Sequence, residues 1–205
     1  MTSVGIVTGA GRGMGAACAA QLADQVDVLL LVDLNEELMT ETATALTGAG
    51  RRATVELFSL DIADAGGVAR LAARVSELGT LRSVAHVAGI SPTMADWRRV
   101  LDVDLVGSAR LTDTLLPLAT AGTAIVCFAS LAPLLTAATV DPVLDAVLAD
   151  PLAADFLDRL RAAAGPAIED SGAAYTLSDA ASFVNGIDIL VAGGVRAALL
   201  GTPGR

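Results

Sequence analysis

Residues Thr8 to Gly15 read Thr-Gly-Ala-Gly-Arg-Gly-Met-Gly and follow the short apolar run Val4-Gly5-Ile6-Val7. Gly9, Gly13 and Gly15 fall where a strand must turn sharply into a helix. Glycine accepts positive φ and leaves bare backbone that a phosphate can approach. The segment behind them, Ala16 to Leu22, is a helix former, so its first amides point at a bound pyrophosphate. The next apolar run, Val28 to Val32, ends in Asp33. A carboxylate at that distance accepts a hydrogen bond from an adenosine ribose hydroxyl. The same side chain is also a candidate N-cap for the helix entered at Asn35-Glu36-Glu37. The expected chemistry is dinucleotide binding on a βαβ unit. The charge of Asp33 repels a 2′-phosphate, so NAD is expected rather than NADP, while Arg12 in the loop acts the other way.

The elements that position these groups follow from the hydrophobic pattern. Apolar runs alternate with amphipathic stretches, as in a parallel sheet covered by helices on both faces. Strands are expected near 3–8, 27–33, 53–59, 82–88, 123–129 and 187–191, and helices near 13–24, 35–48, 65–78, 95–118, 141–149 and 151–164. The fold class is α/β: an open, doubly wound parallel sheet, Rossmann-like, of order 3-2-1-4-5, with the last strand beside the fifth. Pro133, Pro142, Pro151 and Pro166 punctuate a helical insertion around 133–170, which reads as a packed hairpin, a lid or a dimer contact.

Composition narrows the partners. The chain has 205 residues, 54% hydrophobic but only 3% aromatic, so Ala, Leu and Val do most of the packing in one expected domain, 1–205. A net charge of −10 argues against nucleic acid and anionic membranes, which attract basic patches. The longest aliphatic run is far too short for a membrane span, and no leader pattern precedes the first strand, so a cytoplasmic protein is expected. Cys18 and Cys127 read as small buried hydrophobes of a reduced protein. No metal is expected.

Further segments resemble the short-chain dehydrogenase/reductase family over most of the chain. Thr8-Gly9, Gly13 and Gly15 match its cofactor motif, which implies that Gly9, Arg12, Gly13, Met14 and Gly15 hold the dinucleotide. Asp61-Ile62 looks like the pair that contacts adenine. His86-Val87-Ala88-Gly89 stands where the family has Asn-Asn-Ala-Gly, placing Ala88 and Gly89 at the cofactor. Leu101 to Gly107 resembles the helical segment that carries a catalytic Asn, with Asp104 at that position. Ile125 to Ser130 resembles the strand whose final serine polarises the substrate carbonyl. Tyr175-Thr176-Leu177-Ser178-Asp179-Ala180-Ala181 resembles the family's Tyr-x-x-Ser-Lys-Ala-Ala. The resemblance thus implies catalytic roles for Ser130, Tyr175 and Asp104, and a small secondary alcohol or ketone as substrate. A homo-oligomer is also expected, through any sheet edge left exposed.

The chain departs from this pattern in one decisive respect: it contains no lysine, and all 13 basic residues are arginines. Asp179 stands where the family's lysine belongs, and a carboxylate there opposes rather than assists ionisation of a neighbouring phenol. Only an arginine could replace that cation, with Arg159, Arg161 and Arg196 as candidates. The long spacing from Ser130 to Tyr175 resembles the insertion-bearing subgroup of bacterial 3α-hydroxysteroid dehydrogenases. Beyond Ser178 the sequence already resembles the approach to the family's last strand, as though a βα unit were deleted. Three functions fit: an oxidoreductase with an altered site, a dinucleotide-binding protein without turnover, or an inactive deletion variant.

Overall fold

The computed structural model describes residues 1–129, 141–184 and 190–191, with side chains through Ser178. Strands β1 (Ser3–Thr8), β2 (Val28–Asp33), β3 (Thr54–Ser59), β4 (Thr80–His86), β5 (Ala119–Cys127) and β6 (Leu190–Val191) form one sheet of order β3-β2-β1-β4-β5-β6. The expected order holds. The pairs among β1 to β5 are parallel, as expected, and the last strand, β6, lies beside β5 and runs antiparallel to it, Ala124 opposite Val191. A parallel neighbour requires a crossover that returns the chain to the starting edge. An antiparallel neighbour carries no such requirement.

Strand alternation divides the core. Val4, Ile6, Leu30, Val32 and Ile125 face helices α3 (Ala65–Leu78) and α5 (Ser108–Leu115) through Val68, Leu71, Leu111 and Leu115. Val7, Leu29 and Leu31 face the opposite layer, α1 (Gly13–Leu22) and α2 (Glu36–Gly48), through Ala19, Met39 and Leu46. Burial on both faces explains the near-continuous apolar runs of β1 and β2. A third cluster, Trp97, Val100, Leu101, Leu148, Phe156 and Leu160 among others, lies outside the sheet. It joins α4 (Trp97–Leu101) to α6 (Pro142–Leu148), α7 (Phe156–Ala164) and α8 (Ser171–Val184).

Two helices differ from expectation. The single helix expected over 95–118 is broken: α4 passes into a π-helical turn, Asp102–Gly107, before α5, and a 3₁₀ turn, Leu116–Leu118, ends it. The helix expected from 151 starts only at Phe156, because Pro151 to Asp155 form turns. The helix carrying Tyr175 runs unbroken through Ser178. Cys18 and Cys127 form no disulfide and are half-buried rather than buried. No described helix is long and apolar enough to cross a membrane.

Candidate dinucleotide-binding site

The strand-to-helix turn after β1 opens onto a cleft of about 410 Å³ at the carboxyl ends of β1, β2 and β4. All ten cofactor-site residues expected from the sequence line it: Gly9, Arg12, Gly13, Met14, Gly15, Asp33, Asp61, Ile62, Ala88 and Gly89. The glycines act in different ways. Gly9 (φ 65°) and Gly13 (φ 55°) adopt the left-handed backbone that side chains resist. A Cβ on Gly13 would meet nothing within 4 Å, so that residue leaves open space beside the cleft. Gly15 is helical, and its constraint is packing: a Cβ there would lie 1.9 Å from the Gly9 carbonyl oxygen. The loop is braced from behind by Thr42, whose hydroxyl donates to the carbonyls of Ala10 and Gly11.

Helix α1 begins at this loop without a side-chain cap, since its N-cap residue is Arg12, which cannot accept a hydrogen bond. Helices α2, α3 and α4 are capped by the side chains of Asn35, Asp64 and Asp96. The first amides of α1 therefore remain available to an anion over the loop. Asp33 is not the cap of α2; Asn35 takes that role by accepting from Leu38 N–H. Asp33 instead accepts from Gly11 N–H at 2.9 Å and Asn35 N–H at 3.0 Å. A carboxylate offers about four acceptor positions. Asp33 is thus oriented by the loop and retains capacity for a ligand hydroxyl.

At the far end of the cleft, Asp61 accepts from Ala63 N–H at 3.0 Å and from Arg99 Nη2 at 2.6 Å. Arg99 lines the cleft with it. Nothing in the sequence marks Arg99 as a cleft residue. Its partner lies 38 positions earlier, so no local spacing could have revealed the pair.

The floor is a closed hydrogen-bond chain around the buried His86. Thr8 Oγ1 accepts from the amides of Val87 and Ala88, both at 3.1 Å, so its own hydrogen goes to His86 Nδ1 at 2.7 Å. Ser108 Oγ donates to the Asp104 carbonyl at 2.8 Å and therefore receives Nε2–H of His86, also at 2.8 Å. This arrangement fixes one neutral tautomer. Burial opposes the imidazolium and pushes the His86 pKa down to about 4. The side chain is a structural strut at the end of β4.

Of the three catalytic candidates, Asp104 and Tyr175 lie among the described residues, and neither lines the cleft. Asp104 lies in the π-helical turn, where Oδ1 accepts from Ile90 N–H at 2.9 Å and so holds the loop after Gly89. Arg98 and Arg99, a turn or more before it, bond Asp158 and Asp61 respectively. Tyr175, on α8, is half-buried with its ring against the cluster outside the sheet. Ser130 lies outside the described residues, as does Arg196. Arg159 and Arg161, the other candidate cations, pair with Asp155 and Glu169.

Residues 9–143 match the family described as enoyl-(acyl carrier protein) reductase. The chain is 40% identical over 116 residues to the short-chain reductase protein NovJ of Streptomyces niveus, covering 53% of this chain and 44% of that protein. It is 36% identical over 115 residues to cis-4-hydroxycyclohexanecarboxylate dehydrogenase of Sinomonas cyclohexanicum, covering 52% and 45%. The chain therefore spans less than half the length of these two relatives. Among solved structures, an NADP complex of Pseudomonas aeruginosa RhlG superposes with TM-score 0.62 at 21% identity, covering 90% of this chain and 63% of that one. Carveol dehydrogenase from Mycobacterium avium in complex with NAD gives 0.55 at 21%, covering 68% and 57%. At that identity the likeness speaks to fold. With the matched span covering well over half of its residues, the chain belongs to the short-chain dehydrogenase/reductase family.

Proposed function

We propose that the cleft binds NAD and that the protein is a short-chain oxidoreductase of secondary alcohols or ketones whose catalytic site is weakened. The observation that carries the binding reading is the juxtaposition of an uncapped helix start, an open glycine loop and Asp33 in one cleft. The pyrophosphate is expected at the first amides of α1 and Arg12, the adenosine ribose at Asp33, and the base beside Asp61 and Ile62. When bound, the nicotinamide supplies the hydride donor or acceptor. In the oxidoreductase reading Ser130 holds the carbonyl oxygen and the Tyr175 hydroxyl moves the proton, without the ammonium that the family places nearby.

Reduced-nicotinamide fluorescence tests the ribose assignment. Asp33→Ala is expected to weaken NADH binding at least about tenfold, the loss of one hydrogen bond to a charged acceptor. NADPH binding is expected to weaken less, since the repelled 2′-phosphate gains when the carboxylate leaves. Equal affinity of Asp33→Ala and wild type for NADH would defeat the assignment.

A second reading, dinucleotide binding without turnover, is favoured by the apolar packing of the Tyr175 ring and by the ion pairs that occupy Arg159 and Arg161. Turnover with NAD over a panel of secondary alcohols separates the two. In the oxidoreductase reading, turnover is measurable and Tyr175→Phe lowers kcat about a hundredfold or more. Turnover that survives Tyr175→Phe removes the tyrosine from the mechanism, and its complete absence in the wild type favours binding alone.

A further inference from the structure

We propose that Arg99 is a specificity residue for the base of the dinucleotide. By clamping Asp61 against the cleft wall, it makes the site select a purine bearing an exocyclic amino group. The inference rests on the dinucleotide reading above and concerns the same cleft. Asp61 is held from two directions. Ala63 N–H fixes Oδ1 at 3.0 Å, and the guanidinium of Arg99, reaching across from α4, fixes Oδ2 at 2.6 Å. Arg99 is itself steadied from its other side by Asp102 at 3.5 Å. All three side chains are only about one-third exposed (35% for Arg99, 33% for Asp61 and 38% for Asp102). Ile62 and Val103, both buried, line the same cleft and offer apolar surface to a flat ring.

An ionised carboxylate only accepts hydrogen bonds. With one position on each oxygen taken by a fixed donor, the remaining positions of Asp61 suit an incoming N–H. Adenine presents an amino group, whereas hypoxanthine presents a carbonyl oxygen at the same place. Two acceptors then face one another, and a site built to bond the missing group rejects the analogue. Without Arg99 the carboxylate keeps only its Ala63 tether and turns toward water, so the preference fades. A lysine would restore charge but not the planar fork that fixes Oδ2.

The test compares NADH with reduced nicotinamide hypoxanthine dinucleotide, which share the fluorescent ring and differ only in the purine. Wild type is expected to favour NADH at least about tenfold, the worth of one hydrogen bond. Arg99→Ala is expected to bring the two affinities within about threefold, and Arg99→Lys to fall between, with all three proteins melting cooperatively. Arg99→Ala that weakens both ligands equally and keeps the wild-type ratio overturns the proposal, because a merely structural arginine would act that way. A wild type without base preference also overturns it. A wild type that binds neither ligand overturns the dinucleotide reading itself and, with it, this inference.

Discussion

Gly15→Ala is expected to destabilise the protein by at least about 3 kcal/mol and to lower its melting temperature by roughly 6–12 °C. The added methyl would sit 1.9 Å from the Gly9 carbonyl oxygen and 2.6 Å from its carbon, and both neighbours are backbone. No rotamer change relieves that overlap; the turn must move. Gly13→Ala provides the contrast. Its methyl meets no atom within 4 Å, so the fold bears only the cost of a left-handed alanine, about 1–2 kcal/mol. Yet the methyl enters the space allotted to the pyrophosphate, and NADH affinity is expected to fall at least about tenfold. Differential scanning fluorimetry and a binding titration on the two variants separate packing from recognition. A Gly15→Ala protein with wild-type melting, or a Gly13→Ala protein with wild-type affinity, would contradict the roles assigned to the loop.

The second large effect is one of pH. His86 has its pKa pushed down to about 4 in the folded protein, against about 6.5 when unfolded. Between those values the unfolded chain binds the extra proton, so stability falls as pH drops below about 6.5 and levels off below about 4. From pH 7 to pH 5 the loss attributable to this one group is about 2 kcal/mol. The isoelectric point near 4.4 makes pH 5 a sensible lower limit for solubility. Carboxylates titrate in the same range, so the informative quantity is the difference between wild type and His86→Asn, the residue that the family resemblance places there. That difference in unfolding free energy is expected to shift by about 2 kcal/mol between pH 7 and pH 5. A flat difference curve would show that the imidazole does not titrate as its buried chain of partners requires.

The parts of the site legible in the sequence are those where chemistry restricts residue type. Only glycine suits Gly9 and Gly13, and a carboxylate ending the second strand has few alternative meanings, so both were readable from spacing. The five core strands were legible for a similar reason: burial on two faces demands runs such as Val28 to Val32. Interactions made by ordinary residues across long separations were not. Arg99 is one of 13 arginines, and nothing local distinguishes the one that reaches Asp61. The π-helical turn at Asp102–Gly107 was hidden because Leu101, Leu105 and Val106 are buried with a spacing an α-helix also gives. The direction of β6 was equally hidden, since two residues carry no signal of parallel or antiparallel pairing.

The cleft over Gly9, Gly13 and Asp33 is expected to hold a dinucleotide. Isothermal titration of the purified chain with NADH tests it most directly. Saturable binding at one site per chain is expected, with a dissociation constant in the micromolar range, that Gly13→Ala weakens. A flat titration with NADH and with NADPH at millimolar ligand, on protein that melts cooperatively, would contradict it.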